Sequence, residues 1–518
     1  MNICFGCKGI AGLSETRMVE EDEAKSMVYF GGYMKRIIAL IICVLLISVC
    51  IGAYALQLET DAIDIYVESV ASSLTIPNVS IGIVKDGEVL YLRDFGEKQK
   101  NALGGKAIAY PIGSISKVFT ALAARQLIGA GMLVENAPVE RYLPHFRTEY
   151  LGKNASVTVG QLIRHTSGIS AIDGGRPFIY NTRHDLSQVV ERSMHLKLVS
   201  KPGVQYNYSN LNYLLLGRIV ELVSQTPYDA YVHDKILKPL HMTGTNPNAA
   251  SMQTGDYMKG HIPFYGTTLP VSYAFSSSIM PTGGFISTAE DICRLMIFYQ
   301  QGGRIDGDKL IDSSTVLGWE SAADNGYYDI YWTKADWKPG LRFIHNGSWP
   351  GYSSTLTLDA DSGYGIVVLT NSYDQWGIQL NEPAPWGMAE DILSYLTEGT
   401  FPERKPISYD YSDVIWLACL FAGLIWFVCF MICREIKASS RQKGVFKDAI
   451  MLSIYLGLPM LWIIFVPAIN DGKWDWLLAS NPQTNISLLG IMAALVLVGI
   501  GKLLIRTIRT FPSKRASA

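Results

Sequence analysis

Three long apolar stretches, residues 414–433, 449–469 and 486–505, fix the outline of this chain. Each is close to the roughly 20 residues that carry a helix across a bilayer. Lys502 falls near the end of the last stretch, where its apolar stem lets the ammonium reach the interface. Runs this long and this uniformly apolar do not suit the core helices of a water-soluble domain. Positive charge then sets the topology. Arg434, Lys437, Arg441, Lys443 and Lys447 lie between the first two stretches, and Arg506, Arg509, Lys514 and Arg515 follow the third, so both segments are expected on the cytoplasmic side. The loop 470–485 carries one Lys and two Trp and is expected outside. The large region before the first stretch is therefore expected to lie outside the cytoplasm, making the chain a multi-pass protein of the cell membrane with the lipid bilayer as one partner.

The amino-terminal end reads as a targeting segment. Met34-Lys35-Arg36 precedes an apolar run, and Ala53-Tyr54-Ala55 has the small-residue spacing of a cleavage site. Residues 34–55 are expected to be a signal peptide, with an uncleaved anchor as the alternative. Residues 1–33 have no periodicity and are expected to be a non-native or disordered extension, Met34 being the natural start. The remaining organisation is a hydrolase-sized domain over 56–398, a polar linker over 399–412, the three membrane helices within 413–506 and a basic tail over 507–518.

Composition narrows the chemistry. The 44 Lys and Arg against 46 Asp and Glu give a net charge of −2, which supplies no field for nucleic acid. Of eight cysteines only Cys293 falls in the large central region, so no disulfide can form within it, and Cys4-x-x-Cys7 lacks the second pair of a zinc site. No metal or other cofactor is expected.

The central region alternates in pattern. A helical stretch is expected from Thr60 to about Leu74. A hairpin is expected over 78–93, because Asp86-Gly87 separates two β-rich runs. A long, mostly helical stretch follows to about Asn246. Ser287-Thr288-Ala289-Glu290 has the spacing of a capping box and starts another helix. Short strands are expected over 341–345, 354–358 and 365–370, and a last helix over 386–396. Strands, helices, strands, helix in that order indicate one mixed α/β domain built on an antiparallel sheet.

Ile112-Gly113-Ser114-Ile115-Ser116-Lys117 carries the first chemical signal. A serine hydroxyl needs a base to become a nucleophile. A lysine one helical turn along shares its face and can serve once burial lowers its pKa. Alone the pattern is weak: Ser-x-x-Lys recurs at Ser440 to Lys443, and Ser114 could simply cap a helix. Four clusters accompany it. They are Arg164-His165-Thr166-Ser167-Gly168, Tyr206-Asn207-Tyr208-Ser209-Asn210, Pro281-Thr282-Gly283-Gly284, and His345-Asn346-Gly347-Ser348. His165 and Ser167 are expected to shape a turn, and Cys293 to sit in the core.

Together these motifs resemble the serine β-lactamase and penicillin-binding-protein superfamily, in its class C, D-aminopeptidase and esterase-like branch, where the second motif is Y-x-N and the third often H-x-G. The resemblance covers about residues 61–396. It implies a β-lactamase-like α/β fold, an antiparallel sheet flanked by helices with a helical lobe, and an acyl-enzyme on Ser114. It implies that Lys117 and Tyr208 share the proton work, with the choice of base open. A Lys117 ammonium would favour the Tyr208 phenolate. Asn210 would hold the substrate amide and Lys117. Backbone N–H groups of Ser114 and Ser348 would form the oxyanion hole, and His345 and Gly347 would line the sheet edge. His345 stands where the K-T-G form has lysine, which weakens the hold on a substrate carboxylate. Leu240-His241-Met242 departs from the family's usual Leu-Gly-Met. The chain also resembles membrane-bound peptidases that mature natural products by removing an N-acyl-D-amino-acid prodrug motif, although Pro111 stands where that group has an acidic residue.

The expected function is a membrane-anchored serine hydrolase acting on a small-molecule or peptide amide or ester. The alternative is a non-turnover penicillin-binding or sensor protein of the envelope. A third reading makes it a maturation factor with a transporter or envelope partner.

Overall fold

The computed structural model describes residues 60–96, 107–179, 185–247, 257–264, 267–271, 276–305, 308–311, 333–334, 342–373 and 384–403, with isolated helical positions between 490 and 499. The chain divides into two compact units, Met1–Tyr66 and Val67–Ala518. The first is described only over 60–66, which are helical. The second contains everything below.

Its framework is a six-stranded antiparallel sheet. The strands are β1 (Asn78–Lys85), β2 (Glu88–Gly96), β3 (Thr333–Lys334), β4 (Arg342–Trp349), β5 (Tyr352–Asp359) and β6 (Tyr364–Thr370), in the order β3-β4-β5-β6-β1-β2. β1 is buried on both faces, which explains its near-continuous apolar sequence. The Asp86-Gly87 turn is as expected: both residues have positive φ, +49° and +89°, the conformation that joins strands of right-handed twist through two residues. The three later strands each run longer than their apolar cores indicate, because polar residues such as Ser348, Ser353 and Thr355 continue the ladder.

Four helices matter to the site: α1 (Ser116–Gly129), α2 (Asn210–Ser224), α3 (Ala289–Gln300) and α4 (Ala384–Glu398). Register separates the sheet into two faces. Gly82, Val367, Leu356 and His345 share one, and α3 lies on it: a Cβ on Gly82 would stand 2.3 Å from Cys293 Sγ. Cys293 is thus core, as expected. Arg342 points from the other face to Asp359 at 2.6 Å and to Glu390 of α4 at 3.2 Å, a buried ion cluster that fixes α4 there. α3 starts one residue later than a Ser287 cap requires. Thr288 is the N-cap, its hydroxyl accepting from Asp291 N, because Ser287 is already committed to a short strand pairing with residues 109–111. α1 is buried nearly all round over its first ten residues, the signature of a central helix in a lobe.

Among the described residues no helix is long and apolar enough to cross a membrane. The expected amino-terminal extension, leader and tail, the linker beyond residue 403 and the membrane helices lie outside the described residues, apart from the isolated helical positions at 490–499.

Candidate active site

Ser114 does not cap a helix. It sits in a 3-10 turn, Gly113–Ile115, immediately before α1, and the caps on either side, Ile112 and Ile115, make no side-chain capping bond. The turn requires glycine at 113. Its φ is +52°, and a Cβ there would stand 2.5 Å from both N and O of Ser348. The turn is clamped from behind: Ile112 N donates to Phe285 O, and Ser116 Oγ donates to Gly113 O while accepting from Phe285 N. Ser114 is left half-buried at the front of a rigid helix end.

Its hydroxyl has two partners. Lys117 Nζ lies 3.0 Å from Ser114 Oγ, and Tyr208 OH lies 2.9 Å away, from a loop 94 residues downstream. Tyr208 OH also donates to Asn210 Oδ1 at 3.1 Å. Lys117 makes a second hydrogen bond to the carbonyl of Thr282 at 2.5 Å, and its Nζ is 5.1 Å from the Tyr208 ring centroid. Asn210 Oδ1 accepts in addition from Thr282 Oγ1 at 2.8 Å. Asn210 Oδ1 thus bonds Tyr208 and Thr282, and Lys117 bonds Ser114 and the Thr282 carbonyl. The Pro281-Thr282-Gly283-Gly284 motif had no assigned role in the sequence; Thr282 ties the lysine to the Tyr-x-Asn loop.

Electrostatics set the protonation states. Lys117 is completely buried, and desolvation pushes its pKa well below the ordinary lysine range. Burial pushes the Tyr208 phenol up, with the Ser114 hydrogen bond opposing only in part. Both shifts run against the expected pairing of a Lys117 ammonium with a Tyr208 phenolate, because burial disfavours the charged form of each group.

β4 brings the third motif. His345 and Gly347 lie on the sheet face turned toward the Gly113–Ile115 turn that carries Ser114. A Cβ on Gly347 would stand 2.0 Å from Ile112 O, and Ser354 Oγ donates to that same carbonyl at 3.0 Å. Ser348 is exposed, its backbone against Gly113. His345 is buried, with Nδ1 3.1 Å from Asn346 O, and desolvation pushes its pKa well below the usual imidazole range. The structure therefore places Ser114, Lys117, Tyr208 and Asn210 in one hydrogen-bonded cluster and sets Gly347 and Ser348 against the turn that carries it.

His165 is buried too, and desolvation pushes its pKa well below the usual imidazole range. Two buried neutral histidines give a testable pH dependence. The unfolded chain takes up a proton at each near pH 6.5 and the folded chain does not, so their contribution is fully present above about pH 6.5 and is lost as pH falls, by up to about 1.4 kcal/mol per pH unit for each. Denaturant midpoints are expected to drop between pH 7 and 5.5, and His165→Asn should shallow that slope. An unchanged slope in the variant would contradict the assignment.

Residues 64–377 match the protein-family model described as Beta-lactamase. Protein flp from Staphylococcus aureus strain N315 is 32% identical over 315 residues, 59% of this chain and 62% of that protein, so the chain spans less than two thirds of that relative's length. Penicillin-binding protein 4 of Amycolatopsis lactamdurans is 27% identical over 320 residues, 57% of this chain and 81% of that one. Among solved structures, the octameric penicillin-binding protein homologue from Pyrococcus abyssi superimposes with a TM-score of 0.55 at 25% identity, covering 67% of this chain and 79% of that chain.

Proposed function

The chain belongs to the beta-lactamase family, and we propose that it is a serine hydrolase that works through an acyl-enzyme on Ser114. The observation that carries this reading is that one half-buried hydroxyl meets both an amine and a phenol at hydrogen-bond distance. In this scheme Lys117, neutral because it is desolvated, accepts the Ser114 proton as the oxygen attacks a carbonyl. Tyr208 keeps its proton in the resting site and hands it to the leaving nitrogen or oxygen. The proton taken from Ser114 then passes from Lys117 to Tyr208, and water, deprotonated by the restored Lys117, releases the acyl group and returns the proton to Ser114. The N–H groups of Ser114 and Ser348 take the developing oxyanion. With Asn210 Oδ1 occupied by Tyr208 and Thr282, its Nδ2 is the group that meets a substrate carbonyl.

The substrate is a small amide or ester of D-amino-acid, β-lactam-like or N-acyl-D-amino-acid prodrug type. A neutral His345 offers no fixed cation to a substrate carboxylate, which favours substrates uncharged at that end. The enzyme acts outside the cytoplasm, tethered by the three apolar stretches beyond residue 412. Likeness to a penicillin-binding protein supports the second reading, a protein acylated once and not turned over.

A fluorescent fluorophosphonate or penicillin probe should label the full-length protein and not Ser114→Ala; equal labelling of both would remove the proposal. Release of the acyl group within minutes separates the hydrolase from the non-turnover reading.

A further inference from the structure

One residue, His165, grips the chain on both sides of Tyr208, where Ser209 Oγ also donates to Ser170 O and Asn207 Nδ2 to Ser200 Oγ. His165 lies on a different loop, 43 positions upstream, and touches both neighbours of Tyr208 in the chain. Its carbonyl accepts from Asn207 N at 2.7 Å, and its Nδ1 accepts from Ser209 N at 3.1 Å. Its ring also packs against the Tyr208 ring, centroids 4.7 Å apart, and against Tyr213 of α2 at 5.1 Å. Presenting carbonyl and ring to the same loop takes an unusual backbone: His165 has φ +53°, the left-handed region that histidine enters only sparingly.

The acceptor character of Nδ1 is itself enforced. Asn212 Nδ2 is 2.9 Å from Nδ1. The orientation of that amide is fixed from its other end, because Ser167 Oγ donates to Asn212 Oδ1 at 2.7 Å and itself accepts from Ile169 N. A hydroxyl, an amide and an imidazole thus form a buried chain that leaves Nδ1 a lone pair facing two donors and puts the ring proton on Nε2. A histidine needed only to fill space would require none of this.

We propose that His165 is the positioning residue for Tyr208, setting where the phenol stands relative to Ser114 through an acceptor at Nδ1 and an acceptor at its own carbonyl. The inference rests on the reading of Tyr208 as part of the acylating machinery, and the test separates the two. His165→Asn keeps an acceptor where Nδ1 stands and tolerates the left-handed backbone. His165→Phe keeps the ring and loses the acceptor. Asn212→Asp keeps histidine but sets a carboxylate oxygen opposite Nδ1, so that this nitrogen must carry a proton and no longer accepts from Ser209.

Two readouts apply to the folded full-length proteins, each variant first checked by its melting transition. The first is the single-turnover rate of Ser114 acylation by a fluorophosphonate. The second is the 19F resonance of 3-fluorotyrosine at position 208, which needs no activity. In His165→Phe and Asn212→Asp the rate is expected to fall about 100-fold, the scale of a 1 Å misplacement, and the resonance to shift or broaden. In His165→Asn the rate should stay within about fivefold and the resonance near its wild-type position. Wild-type rates and an unmoved resonance in Asn212→Asp, or His165→Asn as impaired as His165→Phe, would overturn the proposal. If His165→Phe does not fold, Asn212→Asp alone decides. If the wild-type protein is not acylated at Ser114 at all, the functional reading falls, and the fluorine series still decides whether His165 positions Tyr208.

Discussion

Lys117→Met is expected to slow acylation of Ser114 by about 10²–10⁴-fold, the usual loss when a positioned base is removed. Methionine fills the same buried volume without a titrating nitrogen. The variant should also change how stability depends on pH. In the wild-type protein the folded chain holds Lys117 neutral while the unfolded chain protonates it below pH 10.5. Folding therefore releases a proton, and stability rises with pH between the lowered folded pKa and that of the unfolded chain, being lost as pH falls. The wild-type protein should accordingly gain stability from pH 7 to pH 9, by at most about 1.4 kcal/mol per unit, and Lys117→Met should gain less. Equal slopes would show that the lysine is charged in the folded protein, and the phenol would then be the better candidate for the base. The acid limb of kcat/KM should report the same group, activity falling as Lys117 takes up its proton.

Gly347→Ala should be nearly as damaging, by a route that changes no chemistry. The added methyl would meet a main-chain carbonyl, Ile112 O, which cannot rotate away, and the Ser354 hydroxyl that donates to it. β4 would have to withdraw from the nucleophile turn. Overpacking of this kind costs about 1–3 kcal/mol. It should also carry Ser348 N away from Ser114, a change that in other oxyanion holes is worth about 10²–10³ in rate. Gly129→Ala is the matched control. It lies at the end of α1 with nothing within 4 Å of the added methyl, so it should leave both rate and stability unharmed. A Gly347→Ala enzyme with native stability and acylation rate would mean that β4 does not line the reaction centre.

Much of the site could be read from the chain because its chemistry needs particular side chains at short spacings. Ser114 and Lys117 are one turn apart, Tyr208 and Asn210 lie two residues apart in one loop, and His345 and Gly347 alternate along one strand face. What the sequence could not supply was environment. Burial disfavours charge on both Lys117 and Tyr208, and it follows from residues far away in sequence, among them Thr282 and the Phe285 segment. His165 looked like a turn former because its function is exerted through its carbonyl and one ring nitrogen, neither of which has a sequence signature. Short pairings were equally invisible. Residues 147–150 lie between 153–155 and 195–197 in a small sheet whose strands are too brief to show any period. The Asp86-Gly87 hairpin was legible because a two-residue turn leaves little conformational choice.

The sheet order has a consequence for how this domain comes into being. β1 pairs with β6, so Val79 meets Thr370 only after nearly the whole domain has been synthesised. Closing that ladder requires the ends of the catalytic region to find each other across a long intervening segment, a search that grows slower as contacts become less local. The turn bearing Ser114 leans on β4 of the same sheet, so a truncated or half-made polypeptide would hold the nucleophile, the lysine and the tyrosine yet lack the wall they work against. Reactivity toward an acylating probe should emerge last during refolding, making the serine a reporter of completed assembly.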